Sequence, residues 1–352
     1  MGETGWKSAV SSGINSGTEA AARFGGDPVT LEKAEKSFPV RINSYYLSLI
    51  GSSTDPLGRQ VVPSGMEAGD TSGTGDPLAE DADSPVPHLV HRYPDRVLLL
   101  VTYQCAVYCR FCTRRRAVGR TPTPTAGDMD RAISYISNHG EIRDVIVSGG
   151  DPLMLSDSTL GSLLSRIRAI PHVEIIRVDS RIPCVLPSRI TPELCTELRK
   201  HHPLYFNTHF NHPRELTPES IRACEMLADS GIPVGNQTVL LKGVNNDPET
   251  MKKLVQGLLA ARVKPYYLYQ CDPVSGAGHF LTTIQEGLDI ISALRGYTSG
   301  MAVPAYVIDA PGGGGKVQVI PPDIIEITDE RVVFRNYAGR VFTYIQPGPA
   351  GK

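Results

Sequence analysis

An excess of charge of one sign is missing from this 352-residue chain: 35 Lys and Arg stand against 37 Asp and Glu, a formal net charge of −2. Without a global basic field, neither nucleic acid nor an anionic membrane is an expected partner. No uninterrupted apolar run approaches 18 residues, and the N-terminal MGETGWKSAVSSG lacks the apolar stretch of a secretory signal. A cytoplasmic location is therefore expected. Cysteine is scarce and odd in number, seven in all, which argues against a disulfide framework and for thiols used as ligands or left buried. There is no second CxxC and no HxxxH, so the separated ligand pairs of a structural zinc site are lacking.

Residues 1 to 40 are polar and small, with helix-compatible runs at Thr18–Phe24 and Leu31–Ser37, and read as a loosely docked N-terminal arm. Gly51 to Pro87 is dense in Gly, Pro, Ser and Asp and reads as a wrapping connector without regular elements. After His91 the pattern changes. Strands are expected at Val97–Thr102, Asp144–Val147, Val173–Val178, Leu204–Thr208, Pro233–Leu240 and Pro265–Gln270, alternating with helices at 127–139, 157–168, 191–201, 217–230, 248–261 and 284–297. Parallel strands need crossover helices, so six strand-helix units imply a parallel sheet. A full eight-unit barrel would need more chain. A seventh strand at Val303–Ile308 precedes a glycine run, and Arg331–Ile345 reads as a closing hairpin. The expected fold is α/β, a partial (β/α)6 barrel over 91–300, preceded by an arm and connector over 1–90 and followed by a C-terminal segment over 301–352. In such sheets ligands gather at the carboxyl ends of the strands.

Immediately after the first of these strands come Cys105, Cys109 and Cys112. Scattered cysteines are small buried hydrophobes, but three within eight residues can converge on one centre. Three thiolates on a 4Fe-4S cluster leave one iron free for a substrate or cofactor. The C-x3-C-x2-C spacing, with Phe111 before the third cysteine, resembles the signature of the radical S-adenosylmethionine (SAM) superfamily. At the end of the second strand, Ser148-Gly149-Gly150-Asp151-Pro152 lets backbone approach a ligand; the resemblance implies that this position binds the SAM amino group.

Asp309-Ala310-Pro311-Gly312-Gly313-Gly314-Gly315-Lys316 follows the seventh strand. A phosphate-binding P-loop would need Gly at 310 and Ser or Thr at 317, where Ala310 and Val317 stand. A glycine loop packed against a flat cofactor can instead deliver Lys316 for an imine with pyridoxal phosphate (PLP).

With YYLSLI, DSPVPHLVHRYPDRVLLL, CTRRR, RIPCVLPSRIT, THFNHP, GIPVGNQTVLLKGVN, PYYLYQCD, LRGYTSGMAVP and DAPGGGGK, the chain from Tyr45 to Pro347 resembles the lysine 2,3-aminomutase family, radical SAM enzymes that also use PLP. The resemblance implies that Arg92 holds the PLP phosphate, Lys316 binds PLP, Arg114 pairs with the substrate carboxylate, and His209 and Gln237, at strand ends, lie around SAM. It also implies that Asp272 and Asp309 clasp the side-chain ammonium of lysine; glutamate-specific relatives lack this acidic pair. Two carboxylates are what a desolvated ammonium requires. The implied activity is conversion of L-lysine to β-lysine, with an arginine 2,3-aminomutase or a β-lysine-forming enzyme for elongation factor modification as alternatives. An electron donor such as flavodoxin or ferredoxin, and a homo-oligomer, are the expected partners. With Asp247-Pro248 in the upstream region, and no C-terminal cysteine group, no structural zinc is expected.

Overall fold

A computed structural model of the chain describes residues 3–346. Six short helices come first: α1 (Glu3–Ser11), α2 (Gly17–Phe24), α3 (Pro28–Ser37), α4 (Ser44–Leu49), α5 (Pro56–Val61) and α6 (Gly65–Ala68). The barrel units follow as β1 (Leu89–Tyr93), β2 (Arg96–Thr102), α7 (Ala126–Asn138), β3 (Asp144–Gly149), α8 (Asp157–Arg168) and β4 (Ile175–Asp179). They continue as α9 (Ile182–Val185), α10 (Pro192–Arg199), β5 (Leu204–Thr208), α11 (Pro218–Asp229), β6 (Val234–Leu240), α12 (Pro248–Ala260), β7 (Lys264–Gln270), α13 (Ile284–Leu294) and β8 (Ala305–Ala310). The chain ends in β9 (Gly315–Gln318), β10 (Ile324–Ile327), β11 (Arg331–Arg335) and β12 (Val341–Ile345).

One nine-stranded sheet runs β1 to β9 in sequence order. Strands β2 to β8 are parallel, and six helical crossovers join them, as the alternating pattern predicts. The helices start where the side chains of Thr125, Ser156, Thr191, Thr217, Asp247 and Thr283 accept backbone N–H bonds at their N-termini. Pro192, Pro218 and Pro248 open three of them, where the missing N–H costs nothing. Val145, Val147, Ile176, Val178 and Phe206 on the strands are buried in one continuous core with Ile136, Leu164, Leu198, Leu227 and Leu258 of the helices. Each such side chain contributes about 1.5–3 kcal/mol by leaving water.

Both edges of the sheet differ from expectation. β1 adds an antiparallel strand before β2, and β9 adds one after β8, so the glycine run lies inside a β-hairpin continuous with the barrel. The Tyr93 hydroxyl at the end of β1 accepts the backbone N–H of Lys316 on β9 at 2.8 Å, tying the two edges together. The hairpin at Arg331–Ile345 forms, with Arg331 paired to Ile345 and Arg335 to Val341. It does not close the barrel: with β10 it makes a separate three-stranded sheet, largely exposed.

The N-terminal arm is not loosely docked. Trp6, Ile14, Ala20, Ala21, Leu31, Val40 and Ile42 belong to the main core, and Phe38 is fully buried beside Tyr108 and Val118. The residues are small or sparsely spaced, so their burial comes from long-range fit rather than a strong periodic stripe. The connector also holds regular structure: α5, started by the Asp55 side-chain cap, and α6, where the Glu67 carboxylate accepts the Ser64 N–H at 3.1 Å. No helix among the described residues is long and apolar enough to cross a membrane.

Candidate active site

A cavity of about 370 Å³ opens at the carboxyl ends of the parallel strands and is lined by Cys105, Cys109, Cys112, Arg114, Ser148, Gly149, Gly150, Asp151, His209 and Gln237. Arg92, Asp272, Asp309 and Lys316 line it as well. All the site residues singled out from the sequence thus meet in one place.

The cysteine loop follows β2 and is held from behind by the arm and connector. The Tyr108 N–H donates to Arg41 O at 2.9 Å, the Arg110 N–H to Gln60 O at 2.7 Å, and Asn43 Nδ2 to Ala106 O at 3.3 Å. Between the second and third cysteines, fully buried Arg110 pairs with Glu67 of α6 at 2.6 Å and donates to the carbonyls of Phe38 and Pro39. All three thiols are half-buried. Burial pushes the Cys112 thiol up to about 11, with Cys109 adding to it, and pushes Cys105 well above its ordinary value, with the Asp151 charge and then the neighbouring thiols adding to it. An electropositive metal centre is what reverses such a shift. No group of three or more His, Cys, Asp or Glu among the described residues converges on one metal-ion position. A 4Fe-4S cluster does not need that convergence, since each thiolate binds a different iron. The trio fits a cluster.

Gly149 and Gly150 are required by packing. Gly149 has φ +126°, and a Cβ there would stand 2.3 Å from Thr102 O; a Cβ on Gly150 would meet Gln104 O at 2.5 Å. Only glycine lets the end of β3 lie this close to the start of the cysteine loop. The Asp151 carboxylate is spent inside the protein, accepting from Ser180 Oγ, the Arg181 N–H and the Leu153 N–H. Burial raises its pKa to about 6 against those hydrogen bonds. Ser148 is buried as well.

His209 directly follows β5, stacked on Phe111 at 5.6 Å and 22°. Burial holds its pKa well below the usual value, so the ring is neutral, and Nε2 is buried without a hydrogen-bond partner. An orphaned buried ring nitrogen facing a cavity fits a polar ligand group there. Gln237 is not at a strand end: it is the fourth residue of β6, on the half-buried positions that alternate with the fully buried Asn236 and Thr238.

Asp309 and Lys316 are cross-strand partners of the β8–β9 hairpin. Lys316 Nζ lies 3.2 Å from Asp309 Oδ1 and 5.4 Å from the centre of the Tyr269 ring. The turn between them explains the glycines: Gly312, Gly313 and Gly315 have φ +71°, +85° and +81°, conformations that other residues resist. Asp272, after β7, is pushed up to about 7 by burial first and by the Asp309 charge second. Arg92 runs beside the turn and pairs with Asp83 at 2.7 Å while donating to Leu78 O. Arg114 forms a two-pronged pair with buried Glu80 at 2.6 Å, and its Nη1 faces Gly149 O at 3.4 Å.

Sequence reasoning missed Tyr93, Glu80, Tyr269 and Arg181. Tyr93 sits inside the HRYPDR stretch and Tyr269 inside PYYLYQ, where aromatics at a strand end were the available signal. Glu80 lies in the aperiodic connector and left none.

A family model described as Lysine-2,3-aminomutase matches residues 291–351, and one described as Radical SAM superfamily matches 99–255. The chain is 54% identical over 310 residues to an L-lysine 2,3-aminomutase from Fusobacterium nucleatum, covering 87% of this chain and 73% of that one. It is 51% identical over 330 residues to the L-lysine 2,3-aminomutase of Clostridium subterminale, covering 91% and 79%. To a glutamate 2,3-aminomutase from Clostridioides difficile it is 44% identical over 324 residues, covering 89% and 77%.

Proposed function

The chain belongs to the lysine 2,3-aminomutase family of radical SAM enzymes, and from that premise we propose that it converts L-lysine to β-lysine by moving the amino group from C2 to C3. Similarity to both lysine and glutamate enzymes leaves the substrate to the site, and the acidic pair Asp272 and Asp309 carries the choice. A cationic side chain is attracted by two carboxylates in a half-buried wall, whereas an acidic one is repelled.

When bound, the reduced cluster and SAM supply a 5′-deoxyadenosyl radical and PLP supplies the π-system across which nitrogen migrates. Cys105, Cys109 and Cys112 hold the cluster. Ser148, Gly149, Gly150 and Asp151 form the wall against which SAM lies, Asp151 by fixing the loop through Ser180 and the Arg181 N–H. His209, neutral and stacked on Phe111, offers its unpaired Nε2 to the same ligand, and Gln237 offers an amide from the barrel interior. Lys316 holds PLP, and Arg92 at the glycine turn neutralises its phosphate. Asp309 Oδ1 pairs with the Lys316 ammonium; once Lys316 is committed to PLP and its proton has left to solvent, the Asp309 carboxylate stays ionised without that cation and, with Asp272, is free to take the substrate ammonium. Arg114 presents Nη1 to the substrate carboxylate while Glu80 fixes the other side of its fork.

A separate reductant of the flavodoxin or ferredoxin class fits a cluster that must accept one electron. A cytoplasmic setting is supported by seven unpaired cysteines. A homo-oligomer is supported by the apolar surface of the β10–β12 sheet, where Ile327, Tyr344 and Ile345 are each more than 60% exposed. The division at 1–90, 91–300 and 301–352 is kept as a functional one, with Lys316 delivered by the last part.

The test is to incubate reduced, reconstituted enzyme separately with lysine, arginine and glutamate and identify any β-amino acid by mass spectrometry. Conversion of lysine in preference to both others is expected. Clear preference for arginine overturns the substrate assignment.

A further inference from the structure

Arg181 is nine-tenths buried, two residues after β4, and the reaction as described gives its side chain no task. Its contacts are specific. Nη1 donates to Cys109 Sγ at 2.7 Å, Nη2 donates to Gln60 Oε1 at 2.5 Å and to Glu215 Oε1 at 2.9 Å, and Nε reaches His209 O at 3.3 Å. The guanidinium lies 5.5 Å from the Phe111 ring centre and 5.8 Å from that of Tyr46.

The neighbouring arginines are used differently. Arg110 and Arg115 pair with Glu67, and Arg114 with Glu80. Among the hydrogen bonds of the described residues, the one from Arg181 is the only one that a side chain gives to a sulfur of the Cys105, Cys109 and Cys112 trio. Its geometry is fixed from behind. Fully buried Glu215 accepts from Tyr46 Oη and Gln60 Nε2 as well as Arg181 on one oxygen, and from the Asn211 and His212 N–H groups on the other. Gln60 Oε1 is further fixed by Asn211 Nδ2 at 3.0 Å. A planar fork can address sulfur with one nitrogen and carboxylate with the other; a lysine cannot.

We propose that Arg181 is a positioning and tuning residue that raises the reduction potential of the cluster through its hydrogen bond and charge at Cys109, with Glu215 as the counter-charge that limits the effect. The proposal rests on the reading of the cysteine trio as cluster ligands. Reduction adds one negative charge to the cluster. A buried cation and N–H donor at a ligating sulfur stabilise that added charge more than they stabilise the oxidised form, and the low local dielectric keeps the effect from being screened.

The experiment is an EPR-monitored redox titration of the reconstituted holoenzyme, without SAM, for wild type, Arg181→Met, Arg181→Lys and Glu215→Gln. Iron and sulfide content and the visible PLP band are measured on each sample. Arg181→Met is expected to lower the reduced fraction at a fixed potential at least tenfold, a downward shift of about 59 mV for a one-electron couple. Arg181→Lys, which keeps charge but loses the fork, falls between, and Glu215→Gln shifts the potential upward. If Arg181→Met takes up no cluster, the Lys and Gln variants carry the measurement, and they must move in opposite directions. Equal potentials in all cluster-bearing proteins, or a rise on losing Arg181, overturn the proposal and leave the cluster reading intact. Wild type with no iron–sulfur EPR signal overturns both.

Discussion

Asp272 shows a single residue serving function against stability. An exposed Asp titrates near 4, whereas burial and the Asp309 charge lift Asp272 to about 7. The folded protein therefore binds the proton more tightly than the unfolded chain does. The stability this group confers is present below about pH 4 and is lost as pH rises through about 7. Asp272→Asn mimics the protonated state. The cofactor-free variant should melt above wild type at about pH 8, by a few degrees for a gain of order 1 kcal/mol after solvent screening, and the difference should vanish near pH 4 in a thermal melt. Function should move the other way. Lysine binding needs the ionised form, so kcat/KM of wild type falls as pH drops through about 7. In Asp272→Asn that limb is absent and KM for lysine rises, roughly 10²-fold for a truncated charge pair. Lys316→Ala should abolish both activity and the visible PLP band of the reconstituted protein; a wild type without that band would remove the PLP assignment.

At the scale of elements, the barrel was legible because crossover helices and buried strands carry periodic burial and explicit start signals, such as Thr125, Ser156 and Asp247. The edge strands β1 and β9 were not, since four or five residues show no period, and a glycine run reads equally well as a loop or a hairpin turn. Hydrogen bonds across space, such as Tyr93 to Lys316, leave no local trace at all. Tyr93→Phe removes that bond, worth about 1 kcal/mol, and should weaken PLP binding about fivefold in an equilibrium titration. Two glycines separate packing from turn geometry. Gly149→Ala drives a Cβ into Thr102 O and should cost at least about 2 kcal/mol, with loss of bound iron. Gly312→Ala has left-handed φ but nothing within 4 Å, so about 1 kcal/mol and full iron content are expected. Urea midpoints and iron analysis on the two variants check the contrast.

At the scale of the molecule, the site depends on the part of the chain that the sequence undervalued. The cysteine loop rests on Arg41, Asn43, Gln60 and Glu67 of the arm and connector, and the arm in turn is locked into the barrel core. Trp6 is the sole tryptophan of the chain. It is 3% exposed, with the Arg189 guanidinium 5.0 Å from its ring centre, and Arg189 is itself anchored to the carbonyls of Leu153 and Leu155 and to Asp157. An arm merely laid on the surface would detach at low denaturant, while one sharing the core must unfold with it. The intrinsic fluorescence of Trp6 should therefore shift to the red in the same urea range in which far-UV circular dichroism and the iron–sulfur absorbance are lost. Arg189→Met, which removes the cation above the indole, should lower that common midpoint without splitting it. A Trp6 transition clearly ahead of the other two signals would show that the arm is an independent appendage and that the cysteine loop keeps its shape without it.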